Sequence, residues 1–384
     1  MISPRFLDPA LTLTRTDADD FEFVLCEDGA RTWGEYAVAV NNWKKAFAAA
    51  GVSSAALFFS NLFDLSSCLF GAWAAGVRAI LPADTTQTVC RQLNTLAEAA
   101  AGDFPADLTI RRITPFHEAD PCRDALDPSG RLVSLFTSGS TGEPSLITKR
   151  LSQLFCEVPA IEVRRPDAED VELPQDTVIF STVPPQHIYG LLFSILWPAA
   201  SLRPIWHKRI LYPEELAARM RTVPHSLWIA SPAHLKRLPE DIDWSSLKNM
   251  LRVIYTSGGP LSDDALRRTI ALTGLAPVEI FGSSESGGIA WRTRALAEDG
   301  SIINESFRAL PGIEWKMENS LLVIKSKQLS SDGWESTSDR IAVNADGSFT
   351  LLGRADRIVK IEEKRVSLTA VEKTLLGTGL IASC

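Results

Sequence analysis

Residues 132–149 read LVSLFTSGSTGEPSLITK, a strand pattern that breaks into a loop of glycine and hydroxyl side chains. The run Leu132-Val133-Ser134-Leu135-Phe136 has the length and β-leaning composition of a buried strand. Beyond it, Gly139 and Gly142 let the backbone turn its N–H groups inward, while Thr137, Ser138, Ser140 and Thr141 add hydroxyl donors and Lys149 adds a cation. Such a set of donors suits a polyphosphate. The bland alternative is a Gly/Ser surface turn. Hydroxyls packed this densely between a core strand and a lysine fit that alternative less well. The loop is not a Walker A, because no Lys-Ser/Thr pair follows a glycine at the required spacing.

A chain of 384 residues can bury a large core, so one large domain or two unequal ones are expected. Hydrophobic content of 45% and charged content of 22% are those of a soluble globular protein. The net charge is −8, and no Lys/Arg run interleaves with aromatics, which argues against a nucleic-acid surface. Cysteines stand at 26, 68, 90, 122, 156 and 384 with no C-x-x-C, so neither a disulfide framework nor a zinc site is expected. Free thiols point to a reducing, cytoplasmic setting. The N-terminus lacks the basic start and apolar core of a signal peptide. The most apolar region, 55–82, is interrupted by Asp64, Gly71 and Gly76. It falls short of the roughly 20 apolar residues that a membrane span needs.

Thr32-Trp33-Gly34-Glu35 has the form of a capping box, and Tyr36, Val40, Trp43 and Phe47 recur at helical spacing up to Gly51. A strand at 55–59, a helix at 62–75 and a strand at 77–81 then make a β-α-β unit with parallel pairing. Helices are predicted at 85–101 and 151–163, with the 132–136 strand between them. The polar segment 164–175 reads as a surface connection. Further strands are predicted at 177–182, 227–231, 252–256 and 277–281, and helices at 191–197 and 262–272. After Gly287 the pattern changes to short strands at 289–293, 313–317, 321–325, 340–343 and 348–352, a smaller β-rich module. A linker and ribbon at 353–364 and a helix start at 367–376 complete the chain.

Three more stretches carry chemistry. Phe281-Gly282-Ser283-Ser284-Glu285 is a strand emptying into a small-residue turn, and one carboxylate there suffices for nucleotide-bound magnesium. Taken alone, Glu285 reads as a surface glutamate. Ser284 also sits in a near miss to the hydrolase elbow G-x-S-x-G, yet the last histidine, His234, lies upstream of it, against the chain order of that class. No G-x-G-x-x-G follows a strand, which excludes a dinucleotide fingerprint. Thr337-Ser338-Asp339 and Gly353-Arg354-Ala355-Asp356 offer an acid and a base for a ribose, or a surface ion pair of little energetic weight.

Taken in order, these segments resemble the adenylate-forming superfamily of acyl-CoA synthetases, peptide-synthetase adenylation domains and luciferases. TSGSTGEPSLITK is similar to its phosphate loop, SGGPLS and FGSSE to its adenine and magnesium segments, and TSD with GRADRIVK to its ribose and hinge segments. The resemblance runs from about residue 32 to the end. It implies an α/β fold with a large N-terminal domain of mixed sheets flanked by helices plus a small β-rich module, over 1–353. Residues 354–384 would be the hinge and an incomplete C-terminal α+β domain.

The resemblance also implies a reaction. A carboxylate attacks the α-phosphate of ATP, pyrophosphate leaves, and the acyl-AMP reacts with the thiol of coenzyme A or of the phosphopantetheine on an acyl carrier protein. Thr137, Ser138, Gly139, Ser140, Thr141, Gly142 and Lys149 would hold the β/γ-phosphates and Ser284 the α-phosphate. Glu285 would hold Mg2+. Ser257, Gly258 and Gly259 with Phe281, Gly282 and Ser283 would take the adenine, and Asp339 with Arg354 the ribose. His187, whose bland reading is a satisfied core histidine, and Gly190 would border the acid pocket. Asp356 would be the hinge.

PPQHIYG and KIEEKR look most like the ligases of bacterial aryl-polyene and fatty-acid-like clusters, which implies an aryl or fatty acid. Two departures stand out. The chain stops at Cys384, before any counterpart of the family's late lysine, and Glu362-Glu363-Lys364 stands where a glycine is usual. The expectation is a fragment, or an ATP site with weakened catalysis. The rival reading from another class is a nucleotide-binding or scaffold subunit of a biosynthetic complex.

Overall fold

The computed structural model describes residues 5–137, 145–162, 173–356, 358–361, 364–368, 371 and 374–375. Ser138, Gly139, Ser140, Thr141 and Gly142 lie outside the described residues, as do 163–172. Two units emerge. The first comprises Met1–Phe136, Leu146–Ile229 and Asp241–Val253, and the second Thr137–Ser145, Ala230–Glu240 and Ile254–Cys384.

In the first unit, β1 (Glu22–Cys26) and β2 (Gly29–Thr32) lead into the helix Trp33–Ala50. The capping box is present: the Thr32 hydroxyl accepts from the Glu35 N–H at 3.2 Å, and the Glu35 carboxylate accepts from the Thr32 N–H at 2.7 Å. Gly51 ends the helix at φ 64°, a left-handed conformation that favours glycine. Next come β3 (Ser54–Phe58), the helix Leu62–Ala74 and β4 (Arg78–Leu81). The helix Gln87–Leu96 leads to β5 (Ala99–Gly102), β6 (Arg111–Arg112), β7 (Leu132–Thr137) and β8 (Ser145–Arg150). These strands make one sheet in the order β6-β5-β3-β4-β7-β8. β3 lies parallel to both β4 and β5, and β4 lies parallel to β7.

The predicted 85–101 helix is too long, since it stops at Leu96 and its alanine tail becomes β5. Alanine favours helix locally. Here pairing of Ala99, Ala100 and Ala101 with β3, all three buried, overrides that preference. The predicted 151–163 helix is instead two short ones, Leu151–Phe155 and Val158–Glu162.

The same unit holds β9 (Val178–Ser181), β10 (Ile205–Trp206) and β11 (Ser226–Ala230), in the order β11-β9-β10-β1-β2. The predicted 191–197 helix is the middle of a longer one. Ile188–Leu191 passes through a wide π turn, Leu192–Leu196, into Trp197–Ser201. Pro198, without an N–H, removes one donor from the ladder where that turn ends.

In the second unit, β12 (Leu251–Thr256), from Ile254 onward, lies parallel to β13 (Val278–Ser283). The helix Asp263–Thr273 connects them, capped by Ser262 and stopped by Gly274 at φ 74°. β14 (Gly287–Thr293) folds back antiparallel on β13. A small ribbon pairs β15 (Ala295–Leu296) with β16 (Ile302–Ile303), and β17 (Arg308–Ala309) pairs with β14.

The predicted β-rich module is a four-stranded sheet, β18 (Glu314–Glu318), β19 (Leu321–Lys325), β20 (Glu335–Val343) and β21 (Phe349–Arg354), paired in chain order. Phe307, Leu322, Ile324, Ile341 and Phe349 form its core together with Ile289 and Ala290 of β14. The ribbon β22 (Ile358–Ile361) and β23 (Lys364–Ser367) follows. Cys26, Cys68, Cys90, Cys122 and Cys156 are free thiols. Among the described residues, no helix is long and apolar enough to cross a membrane.

Candidate active site

Three of the four sequence constellations meet in the second unit. At the end of β12 the chain enters Ser257-Gly258-Gly259. The Ser257 hydroxyl donates to the Ile280 carbonyl of β13 at 2.8 Å, which ties the turn to its neighbouring strand. Gly258 sits at φ 97°, a conformation that disfavours a side chain, and at Gly259 a Cβ would meet open space.

The strand β13 ends in the FGSSE turn, which is the tip of the β13–β14 hairpin. Ser283 pairs with Gly287 in register. Across the tip, the Ser283 N–H donates to the Ser286 hydroxyl at 3.1 Å and the Ser286 N–H donates to the Ser283 hydroxyl at 3.1 Å. This reciprocal lock explains the small hydroxylated residues there. A Cβ at Gly282 would lie 2.2 Å from the Gly287 carbonyl oxygen, so only glycine lets the two strands close. Ser284 is buried beneath the tip, and Glu285 stands exposed on it. The Phe281 ring is half-buried and packs 5.6 Å from Phe307 and 6.4 Å from Phe349, part of the module's core.

Asp339 on β20 and Arg354 on β21 are register partners, with Nη1 to Oδ1 at 3.5 Å. Thr337 sets the local backbone: its hydroxyl donates to the Leu322 carbonyl at 3.0 Å and accepts from the Asp339 N–H at 3.1 Å. Arg354 also grips Asp356 with both arms of its fork, Nε to Oδ1 at 2.9 Å and Nη2 to Oδ2. The guanidinium pKa is raised, first by the Asp356 hydrogen bond, then by the charge of Asp339, and in part by that of Glu285. Glu285 thus acts electrostatically on the same arginine as the two aspartates. The result is an exposed acid and a half-buried acid sharing one cation, a set of groups that fits a magnesium-bound nucleotide.

The first unit carries the remaining candidates. Lys149, beyond the hydroxyl run, belongs to β8 and is buried. The Ser134 and Thr148 hydroxyls lie 2.8 Å apart across β7 and β8. His187 is exposed, which corrects the core-histidine alternative; its Nδ1 accepts from the Tyr189 N–H at 3.2 Å and caps the helix that begins at Ile188. Gly190 is buried with its Cα face against the Pro184 carbonyl, where a Cβ would sit 2.1 Å from the oxygen.

The AMP-binding enzyme family matches residues 14–321, well over half of the chain. The chain belongs to the AMP-binding enzyme family. A 4-coumarate–CoA ligase of Cereibacter sphaeroides is 30% identical over 243 residues, 62% of this chain and 52% of the relative. Another, of Rhodobacter capsulatus, is 30% identical over 246 residues, 62% of this chain and 56% of the relative. The chain therefore spans about half the length of the curated relatives it matches. Among solved structures, o-succinylbenzoate CoA synthetase (MenE) of Bacillus subtilis superimposes with a TM-score of 0.73 at 17% identity, covering 98% of this chain and 84% of that one. ATP-bound MatB of Rhodopseudomonas palustris gives 0.73 at 16% identity, over 96% and 83%. At such identities the likeness shows the fold.

Within this AMP-binding chain, sequence reading missed residues that support the hairpin. Gln328 is buried, and with its amide nitrogen turned toward the hairpin it donates to the Gly288 carbonyl at 2.9 Å and the Ser286 carbonyl at 3.1 Å. Glu279, Arg292 and Arg294 also escaped notice. Glu279 and Arg294 are buried side chains with charged partners. The one available signal was a pair of arginines, Arg292 on β14 opposite Glu279 and Arg294 just past the end of that strand.

Proposed function

We propose that this chain activates a small carboxylic acid with ATP, releasing pyrophosphate and forming acyl-AMP, and passes the acyl group to the thiol of coenzyme A or of a carrier-protein phosphopantetheine. The observation that carries this reading is the pairing of Asp339 with Arg354, whose guanidinium also feels the charge of Glu285, in a chain of the AMP-binding family. The acid is ionised at neutral pH and needs no base to attack. Catalysis therefore rests on positioning and on neutralising phosphate charge.

Glu285 is the residue to hold Mg2+, which would supply charge compensation at the phosphates. Ser284 offers its hydroxyl to the α-phosphate, and Asp339 accepts from the ribose hydroxyls. Arg354 holds Asp339 in place and contributes positive charge. Lys149 and the hydroxyl loop from Thr137 to Thr141 take the pyrophosphate end. Phe281, Gly282 and Ser283 flank the adenine, and His187 with Gly190 borders the acid. Asp356, gripped by Arg354, is the point about which a following domain turns. That both relatives are 4-coumarate–CoA ligases supports an aryl acid as the first substrate to try.

A panel of aryl and straight-chain acids, scored by magnesium-dependent pyrophosphate release, tests the reading. Release is expected with at least one acid, and Glu285→Ala is expected to lower it on the order of 100-fold. No release with any acid would favour a nucleotide-binding or scaffold subunit instead.

A further inference from the structure

Between Ser257 and Pro260 the chain has almost no side chain with which to anchor itself. Gly258 is left-handed and Gly259 faces open space. Glycine pairs of this kind lose much conformational entropy on ordering, so a fixed geometry needs outside support. Support stands at both ends. At the start, the Ser257 hydroxyl donates to the Ile280 carbonyl at 2.8 Å. At the far end, Arg294, the residue after β14, donates through Nη2 to the Leu261 carbonyl at 2.6 Å and through Nη1 to the Asp263 carboxylate at 2.7 Å.

Arg294 is itself held by a second partner. It is 4% exposed, and its Nε donates to Glu279 of β13 at 2.6 Å. Glu279, 5% exposed, also accepts from Arg292 Nη2 at 2.9 Å, while Arg292 Nη1 donates to the Glu305 carbonyl at 2.8 Å and its guanidinium lies 4.3 Å from the Phe307 ring centroid. A buried carboxylate between two arginines is costly unless each group is paired, and here each has named partners. The planar fork of arginine reaches three residues, Leu261, Asp263 and Glu279, at fixed angles, which a lysine ammonium cannot reproduce.

We infer that Arg294, held by Glu279, is a positioning residue that keeps the Gly258-Gly259 turn in a nucleotide-ready geometry by clamping Leu261 and Asp263. The inference rests on the proposed ATP reading for what the turn binds, but the tether itself is a property of the free protein. Its consequence is specific: loosening the clamp raises the ordering cost paid on ATP binding and leaves the acid's own contacts alone.

Arg294→Lys keeps a cation for Glu279 and gives up the simultaneous contacts to Leu261 and Asp263. Asp263→Asn, at an exposed carboxylate, weakens one arm with little risk to folding. Two readouts apply to the full chain. Hydrogen exchange of the Gly258, Gly259 and Leu261 amides in the absence of ligand is expected to speed up roughly ten-fold in Arg294→Lys and less in Asp263→Asn. In turnover assays, the KM for ATP is expected to rise roughly ten-fold in Arg294→Lys, with the KM for the acid unchanged and kcat within about two-fold. Unchanged exchange at the turn, or a lowered melting temperature with both KM values unchanged, would overturn the tether. Wild-type protein that releases no pyrophosphate with any acid sinks the proposed activity separately, and the exchange comparison still decides the tether.

Discussion

A methyl group has nowhere to go at Gly190, where a Cβ would stand 2.1 Å from the Pro184 carbonyl oxygen and 2.8 Å from its carbon. Because the obstacle is backbone, Gly190→Ala is expected to cost about 1–3 kcal/mol in urea unfolding. An unchanged midpoint would show that the 184–190 turn yields. Glu27 supports a pH prediction. Its carboxyl is lowered from 4.5 to about 2, chiefly by the hydrogen bond from Lys208, at 2.7 Å, with His207 adding to it. A depressed folded-state pKa means the pair stabilises fully above about 4.5 and loses that contribution as pH falls toward about 2. Glu27→Gln should therefore flatten the decline in stability across that window, an effect kept small by solvent exposure of the pair. At this scale Ser284, Glu285, Asp339 and Arg354 could be singled out as candidates because each sits in a short local motif. Arg294 was not, because its partners, Leu261 and Asp263 on one side and Glu279 on the other, are distant in the chain.

Among the elements, the helix Trp33–Ala50 was read almost whole from Thr32, Glu35 and Gly51, since its start and stop signals are local. Thr32→Ala is expected to cost about 1 kcal/mol by leaving the Glu35 N–H without its side-chain acceptor, and Thr32→Ser to cost less. Equal midpoints for the two variants would remove the cap from the account. β5 was illegible for the opposite reason, because nothing within Ala99–Gly102 marks it as a strand until β3 is beside it. Lys149, which the sequence sets beyond the hydroxyl run, falls in β8 and is buried, a burial that depends on packing the local sequence does not show.

For the molecule as a whole, the alternation of strand and helix from residue 54 onward announced parallel α/β architecture, and the change after Gly287 announced the antiparallel module of β18 to β21. Those features are periodic and survive without tertiary knowledge. The division into two units that interleave along the chain was not visible, because it depends on long-range contacts. The central claim is that the second unit's glycine turn, hairpin tip and Asp339–Arg354 pair take a magnesium-bound nucleotide. Calorimetry of ATP binding to the full chain, with and without Mg2+, tests it most directly. The account predicts binding that strengthens with Mg2+ and loses that dependence in Glu285→Ala; ATP binding indifferent to both the metal and the substitution would contradict it.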